Sequence, residues 1–470
     1  MIRNLLSSGI KTLAICIFPF WLFPRDVDAQ QLLYEFELGK LDAKNLKGVV
    51  SGDSIFLSFL QSRIGSMEDP KYHSMWVSSK GQGRQIDLDE LQGKYLAGIS
   101  AARDTTRYYF FEEATNNSVL LRCLNYDERW GKKTIAAQTA TLPGRLLGSY
   151  IESDDLYLIC ASKKDYRVRL IRIHGTQVVN EKIFNLAGEL VKKKNTRVAF
   201  IQEGETVTPY QASASVKIVK ASDGIYISID EFYDANAIKQ GMFKTTVMKL
   251  DLNSESVSTR VFFEPSMDYF NSMTFGGHLY RVKYESRYLK LEIFNLANGK
   301  LVTSKIFNEP KGSILANVYN RDGSNKTTTK YDYEKGYKKM VGYPFVIPDS
   351  VSGKSLIAAG LWMEDDVNIP MITTLGVLPA LLSGIASVLV RDLYEGPINC
   401  SYFYLRTTAK NSIEYDAQIP SARKMIDEYE ALNAESKFML KGYLNGKNAT
   451  YAIYQRNKSN KLEVWKFDKP

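Results

Sequence analysis

Hydrophobic and polar residues alternate along most of this chain, in short runs that turn residues separate. Between residues 280 and 284, for example, Tyr280, Val282 and Tyr284 alternate with Arg281 and Lys283. Successive side chains of a β-strand point in opposite directions, so a period of two predicts strands. Because such runs fill most of the chain, the sequence predicts an all-β protein.

The strands recur as one unit: a polar turn, an alternating strand, a second turn and a second strand. The copies begin at turns of similar composition, which are Gly52-Asp53, Arg103-Asp104, Ser153-Asp154, Ser222-Asp223, Gly276-Gly277, Ser352-Gly353 and Asn445-Gly446. Antiparallel units of roughly 50 residues or more are typical of propeller blades. We therefore predict a single β-propeller of about seven blades, roughly six to eight. A β-sandwich or two smaller β-domains is the alternative architecture.

One strand has no partner in its own unit. It runs from Leu32 to Phe36, far from the next alternating run, whereas the last unit ends at Phe467. An unpaired edge strand invites aggregation. The sequence therefore predicts that this N-terminal strand completes the last blade and closes the ring.

The segment from Leu291 to Lys300 belongs to the clearest copy of the unit, which starts at Gly276-Gly277. Its Asn298-Gly299 dipeptide is typical of a two-residue hairpin turn, because both residues tolerate the positive φ that both turn positions need. The segment resembles the strand–turn–strand of quinoprotein-type and related propeller repeats. The resemblance covers one or two units, and the tryptophan of such repeats is absent after Lys300. It implies the propeller fold alone, and no cofactor is predicted.

Two insertions interrupt the repeat, at about residues 309–349 and 364–398. The first is polar and rich in lysine and tyrosine. The second begins with Glu364, Asp365 and Asp366 and continues with an uncharged run from Ile369 to Val390. After it, residues 421–433 place apolar side chains at helical spacing, which predicts a short helix.

The first 29 residues have the features of a signal peptide. Positive charge precedes a short apolar run at residues 13–23, and Ala29 precedes a polar start. We expect cleavage after Ala29, so that the mature chain, residues 30–470, begins at Gln30. The predicted location is periplasmic, cell-surface or extracellular, and a retained N-terminal anchor is the alternative.

The distribution of charge argues against a nucleic-acid partner, and the spacing of the cysteines argues against a metal site. The net charge of +9 is spread along the chain, and its densest run, residues 192–197, is predicted to be a solvated turn, so no nucleic-acid partner is expected. Cys123, Cys160 and Cys400 each lie in an apolar strand-like run without metal-ligand spacing. We expect buried free thiols, with one disulfide as the alternative.

No catalytic residue can be assigned from the sequence. His73, His174 and His278 stand apart, and the serine-nucleophile, P-loop and dinucleotide-binding motifs are missing. The adjacent carboxylates are Glu112-Glu113, Asp154-Asp155 and Glu364-Asp365-Asp366. Charge clusters usually lie on solvated turns. Only Glu364, Asp365 and Asp366 are retained as weak metal candidates, because hard cations favour clustered oxygen ligands.

The apolar run from Ile369 to Val390 is long enough to span a membrane. Strand units lie on both sides of it, however, and they can share one sheet system only if both stay on one side. We therefore predict a compact element that does not cross. Within it, Leu378, Leu381 and Leu382 are candidate contacts to a partner or to a membrane surface.

These observations rank three hypotheses about function. The first is an exported binding or scaffolding module with a protein or glycan partner, for which some of the 29 tyrosines would supply flat contacts. The second is a carbohydrate-active hydrolase or lyase that uses carboxylates near the propeller axis. The third is a membrane-associated component of an envelope assembly, with residues 369–390 as its contact.

Overall fold

The computed structural model describes most of the chain after residue 29. The described ranges are 30–38, 42–62, 71–87, 95–102, 105–115, 118–127, 131–141, 144–161, 167–186, 198–203, 207, 209–231, 243–264, 269–285, 288–308, 319–321, 342–351, 354–363, 399–408, 412–415, 421–433, 438–456 and 459–469. The predicted signal peptide and the run from Ile369 to Val390 lie outside them.

The described strands form seven sheets that follow one another along the chain, and each is a propeller blade. Blade 1 contains β2 (Asp42–Ser51), β3 (Ser54–Ser62), β4 (Lys71–Ser78) and β5 (Gly83–Asp87). Blade 2 contains β6 (Tyr95–Ala102), β7 (Thr105–Thr115), β8 (Ser118–Asp127) and β9 (Lys132–Thr141). Blade 3 contains β10 (Arg145–Glu152), β11 (Asp155–Ala161), β12 (Arg167–His174) and β13 (Gln177–Asn185).

Of the next three blades, blade 5 repeats the four-stranded antiparallel order, whereas blades 4 and 6 each have a five-stranded sheet. Blade 4 contains β14 (Val198–Gln202), β15 (Val216–Ala221), β16 (Gly224–Glu231), β17 (Phe243–Leu250) and β18 (Val257–Glu264), with helix α1 (Pro209–Ala212) between β14 and β15. Blade 5 contains β19 (Tyr269–Phe275), β20 (His278–Glu285), β21 (Tyr288–Asn295) and β22 (Leu301–Asn308). Blade 6 contains β23 (Tyr319–Arg321), β24 (Gly342–Val351), β25 (Lys354–Met363), β26 (Asn399–Thr407) and β27 (Ile413–Tyr415). Strand β24 begins inside the range assigned to the first insertion.

Blade 7 joins the two ends of the described chain. Its strands are β28 (Phe438–Asn445), β29 (Ala449–Arg456), β30 (Lys461–Asp468) and, outermost, β1 (Gln30–Glu37). Strand β1 runs antiparallel to β30, with Gln30 opposite Phe467 and Glu37 opposite Lys461. The all-β propeller and its closure by the N-terminal strand are therefore confirmed.

The predicted helix near the C-terminus is also present, as α2 (Ala422–Leu432). It packs on β29 and β30 of blade 7 through Ala422, Ile426 and Tyr429. On its other side, the Lys424 amine lies 5.8 Å from the ring centroid of Tyr404 in blade 6. Helix α2 therefore fills the gap between blades 6 and 7.

The first hairpin of most blades closes in two residues. Ser153 and Asp154 have φ values of 48° and 74°, and Gly276 and Gly277 have 53° and 74°. Positive φ at both positions defines the type I′ turn, whose twist matches the flanking strands. The Asn298-Gly299 prediction is wrong in this respect. The loop between β21 and β22 spans residues 296–300, and only Gly299 in it has positive φ.

Alternating charged residues in the blades do not form a solvated face. Arg281 is 3% exposed and Lys283 is 4% exposed, although both occupy the polar positions of β20. A blade has a neighbouring blade on each side, so both faces of its sheet are covered. The polar half of the alternation must therefore be satisfied by buried hydrogen bonds and ion pairs.

A glycine in the innermost strand lets neighbouring blades approach closely. Four inner strands carry the sequence Leu-x-Gly, with glycines at Gly48, Gly98, Gly148 and Gly442. An added Cβ would meet a side chain of the next blade at each position: Leu444 at 2.5 Å, Ile151 at 3.0 Å, Phe200 at 2.6 Å and Leu46 at 2.0 Å, respectively.

We expect Gly148→Ala to lower the free energy of unfolding by about 1–3 kcal/mol, because overpacking a filled core forces its neighbours to shift. Phe200→Ala in the same chain should recover part of this loss, because it removes Phe200 Cγ and Cδ2, both of which the added Cβ would meet at 2.6 Å. A urea-denaturation cycle of the two single variants and the double variant measures the coupling. A Gly148→Ala chain as stable as the wild type would contradict the close packing.

Candidate functional site

The two faces of the propeller differ in the length of their connections. One face, here called the turn face, carries the hairpins that close within a few residues, such as residues 153–154, 175–176, 276–277 and 296–300. The opposite face, here called the loop face, is where the three longest connections begin and end: 309–341, 364–398 and 416–437. Both insertions therefore leave and re-enter the propeller at the loop face.

Most site residues proposed from the sequence fall outside the described residues. These are Glu364, Asp365, Asp366, Leu378, Leu381 and Leu382. Glu112 and Glu113 lie on β7, but their side chains are also outside the described set. Within the described ranges, no three His, Cys, Asp or Glu side chains are close enough to hold a metal ion.

Asp154 ties blade 3 to blade 2 on the turn face. Its carboxylate accepts hydrogen bonds from Ser100 and Arg107, and its carbonyl oxygen accepts one from the Tyr109 hydroxyl at 2.8 Å. These contacts account for a non-glycine residue at φ 74°, because they hold the strained turn in place. The Asp154 carboxylate is therefore a structural tie between blades.

The neighbouring Asp155 is oriented into its own blade. Its carboxylate is almost fully buried and lies 2.6 Å from Arg172 and 2.6 Å from His174 Nδ1. Burial acts to raise the pKa of Asp155, but the hydrogen bonds from His174 and Arg172 together outweigh it and lower the pKa below its usual value. The Asp154-Asp155 pair therefore faces two separate sets of partners and does not form a shared site.

The lowered pKa of Asp155 predicts a pH dependence of stability. A carboxyl whose pKa is depressed by folding stabilises the protein above its unfolded-state pKa, and this contribution is lost as the pH falls through the folded-state value. We expect the wild type to lose more stability between roughly pH 5 and pH 2 than Asp155→Asn does. Thermal melts across this range, with Thr176→Ala in the adjacent turn as a control, measure it. Parallel curves for the wild type and Asp155→Asn would contradict it.

Two of the three cysteines of the predicted mature chain are buried free thiols. Cys123 and Cys160 have no disulfide partner and are fully buried, as predicted. Burial raises the pKa of each thiol to about 12, which suppresses the reactive thiolate. Both are therefore packing residues. Cys400 lies on β26, and its side chain is outside the described residues.

A segment between β14 and β15 runs inside the ring. These two strands are parallel, so the chain must return from one face to the other between them. Helix α1 in this segment packs against β14 and against β24, strands of two blades that are not neighbours. Val207, Ala212 and Ala214 are buried there within the largest core cluster. Residues 207–214 therefore occupy part of the central channel.

Long polar side chains hold this channel segment by its carbonyl groups. Arg423 of α2 donates to the Val207 carbonyl oxygen. Asn271 Nδ2 of β19 donates to Ser213 O at 3.2 Å, and Lys217 Nζ donates to Ala214 O. Blades 4 and 5 and the helix between blades 6 and 7 are thus joined through the segment.

Lys217 and Asp230 form a completely buried pair beside the channel segment. Both side chains are 0% exposed, and Lys217 Nζ lies 3.3 Å from Asp230 Oδ2. Asp230 Oδ1 accepts hydrogen bonds from Thr245 Oγ1 at 2.8 Å and Ser272 Oγ at 2.8 Å, and Oδ2 accepts one from the Ser272 amide at 2.9 Å. Four donors therefore surround the carboxyl, which links strands of blade 4 to the inner strand of blade 5.

A second buried cluster lies within blade 5. The Glu292 carboxylate lies 2.7 Å from Arg281, 2.8 Å from Lys290 and 3.4 Å from Lys283. Burial acts to raise the pKa of Glu292, but the charge of Arg281 and the lysine contacts outweigh it and lower the pKa. Arg281 also lies 4.8 Å from the ring centroid of Phe294, so the cluster is packed as well as paired.

Helix α2 is docked through a network of aromatic and charged side chains. Tyr443 and Tyr454 both donate to Glu430 on the helix. Arg456 donates to Glu463 and to the hydroxyl of Tyr429. The sequence indicated the helix but not these anchors, because they lie on the strands that follow it and are brought to the helix by the folding of blade 7.

Similarity to known proteins is found among solved structures and is weak. No family model matches the sequence, and no curated protein sequence matches it. Among solved structures, the β-propeller domain of the Trilobed protease from Pyrococcus furiosus is similar, with 9% identity over 90% of this chain and 96% of that chain and a TM-score of 0.37. Its description names an open velcro topology.

Two further solved structures show the same kind of similarity. A prolyl endopeptidase matches with 9% identity over 88% of this chain and a TM-score of 0.36, and this chain covers 46% of that protein. A subtype N11 neuraminidase-like protein from a flat-faced bat influenza virus matches with 7% identity over 82% of this chain and 92% of that chain, with a TM-score of 0.32. At these identities the similarity concerns the fold alone, and no activity is transferred.

Proposed function

We propose that this chain is an exported β-propeller that binds a protein or glycan partner through its loop face and acts as a binding or scaffolding module. The observation that carries the proposal is the difference between the two faces. Tight hairpins close the turn face, whereas the longest connections and both insertions begin and end at the loop face. Binding residues are commonly carried on loops that a rigid scaffold positions.

The interior of the ring favours a binding module over an enzyme. A catalytic carboxyl needs access to its substrate, but Asp230 is fully buried and surrounded by donors. Residues 207–214 occupy channel space beside it. The hypothesis of a carbohydrate-active hydrolase or lyase with carboxylates near the axis therefore ranks second.

The signal-peptide features of the first 29 residues carry the export part of the proposal, and cleavage after Ala29 would leave strand β1 intact. Gln30, the first residue after the expected cleavage site, pairs with Phe467 in blade 7. N-terminal sequencing of protein recovered from outside the cytoplasm should read Gln30 first. Recovery of chains that begin at Met1 would contradict export.

The strands on both sides of the second insertion argue against a membrane crossing by residues 369–390. Strand β25 before the insertion pairs with β26 after it, with Leu356 opposite Arg406 and Met363 opposite Asn399. A single crossing would separate two hydrogen-bonded strands. As a separate finding, no helix among the described residues, which do not include residues 369–390, is long and apolar enough to cross a membrane. We propose instead that the insertion contacts a partner or a membrane surface through Leu378, Leu381 and Leu382.

Site-specific photocrosslinking tests which face of the propeller binds the partner. A photoreactive amino acid is placed at exposed positions of the loop face, Asn185 and Asn460, and at matched exposed positions of the turn face, Ser254 and Asn298. The expected result is a discrete crosslinked species from the loop-face positions alone, which disappears when Leu378, Leu381 and Leu382 are replaced by serine. Equal crosslinking from both faces, or from the turn face alone, would overturn the assignment.

A further inference from the structure

We propose that Lys217 and Asp230 are joined by an intramolecular amide bond between Lys217 Nζ and Asp230 Cγ. The two residues lie on the neighbouring antiparallel strands β15 and β16. Lys217 is opposite Ser228, so Asp230 is its diagonal neighbour on the same face of the sheet. The amine nitrogen is already 3.3 Å from a carboxyl oxygen.

Burial isolates the pair from water. A proton that passes from the Lys217 ammonium to the Asp230 carboxylate removes both buried charges at once. The neutral amine that results is the nucleophile for this reaction, and the neutral acid is the group it attacks. Because the strands hold the two groups in contact, the step is intramolecular and gains a large effective concentration.

The surrounding donors are arranged to assist the step. Thr245 Oγ1 and Ser272 Oγ both lie 2.8 Å from Asp230 Oδ1, where they would polarise the carbonyl. The Ser272 amide lies 2.9 Å from Oδ2, the oxygen that would leave. In the reaction the N–C bond forms, the Cγ–Oδ2 bond breaks, and the acid's hydroxyl leaves as water with one hydrogen from the amine. No oxidant or reductant is required.

The amide product also fits the site better than an ion pair. Its carbonyl oxygen would keep the hydrogen bonds from Thr245 and Ser272, and its N–H would keep the bond to Ala214 O that Lys217 already makes. Two buried charges would be replaced by one neutral group, which relieves the cost of desolvating them. The cross-link would fix the start of β15, the end of β16 and the adjoining channel segment.

Tryptic digestion of the denatured full-length protein, read by mass spectrometry, tests the bond. Trypsin cleaves after a free lysine, so the expected result is a branched peptide that joins the segment with an uncleaved Lys217 to the segment that contains Asp230. The two segments are residues 198–220 and 221–239, so the branched peptide has the same mass as the linear peptide 198–239. Tandem mass spectrometry of this species should therefore show two N-termini, at Val198 and at Ala221, whereas a linear peptide shows Val198 alone. Only linear peptides, with cleavage after Lys217, would overturn the proposal.

Two controls test whether the branched peptide requires Asp230 and whether a nearby lysine and carboxylate are enough to form one. In Asp230→Ala the branched peptide must disappear and cleavage after Lys217 must return, even if that variant does not fold. Lys244 and Glu231 form a more exposed pair at 3.1 Å on the neighbouring strands β16 and β17. Water reaches this pair, so trypsin should cleave after Lys244 in every sample. A branched peptide that persists in Asp230→Ala would refute the assignment to Asp230.

Discussion

A chain that begins after Leu38 is expected to lose the closed ring and to aggregate. Strand β1 supplies the outermost strand of blade 7 and buries Leu33 and Leu38 in the core that blades 7 and 1 share. Without it, β30 becomes an exposed edge with unpaired backbone groups. The lost apolar burial and hydrogen bonds together are on the order of 5 kcal/mol, which is comparable to the whole stability of many domains.

Size-exclusion chromatography and urea denaturation measure this effect. The matched control is a chain that ends at Asp468, which shortens the other terminus but removes no strand residue. A synthetic peptide of residues 30–38, added to the shortened chain during refolding, should restore the monomer because the strand is continuous and pairs with β30 alone. A shortened chain that stays monomeric and unfolds at the wild-type urea concentration would show that the closure contributes little.

The ring closure could be predicted from the sequence because the N-terminal strand has no partner in its own unit. The inner strands were harder to recognise. Glycine interrupts the apolar alternation in them, and glycine weakens the strand signal. The sequence Leu-x-Gly nevertheless recurs with a regular spacing, at Gly48, Gly98 and Gly148. This repeat marks the inner strands of the first three blades.

The outer strands contain a repeat that the alternation also hid. Lys-Ile-Phe-Asn ends both β13 and β22, and the phenylalanine of each copy, Phe184 and Phe307, is buried. The isoleucine next to Phe307 is exposed, because successive side chains of a strand point to opposite faces of the sheet. The pattern at these strands therefore reports which side faces the adjoining blade.

The buried charges could not be predicted from one sequence. Lys217 and Lys220 point to opposite faces of β15, and each charged side chain would be expected in solvent, yet both are buried. Their environment depends on Asp230, Glu152 and backbone carbonyls contributed by other strands and by the channel segment. A periodicity argument treats one strand at a time, so it contains no information about what the neighbouring blade presents.

The second large effect is expected at the Lys217–Asp230 pair. Asp230→Ala should lower the free energy of unfolding by about 3–5 kcal/mol, because it leaves a buried amine without its partner. It also leaves the Thr245 hydroxyl and the Ser272 amide without their acceptor. Lys217→Met should have an effect in the same range, since it leaves the buried carboxyl without a cation or an amide.

The double variant distinguishes the loss of the charged pair from the loss of the volume that the two side chains fill. Lys217→Met with Asp230→Leu replaces two polar groups by apolar ones of similar size, so the double variant should lose less stability than the sum of the single variants. The pair Lys244→Met and Glu231→Leu is the partly exposed control, for which about 1 kcal/mol or less is expected. Urea denaturation of all variants gives the coupling energy. An Asp230→Ala chain no less stable than the Glu231→Leu control would mean that the buried pair does not hold blades 4 and 5 together.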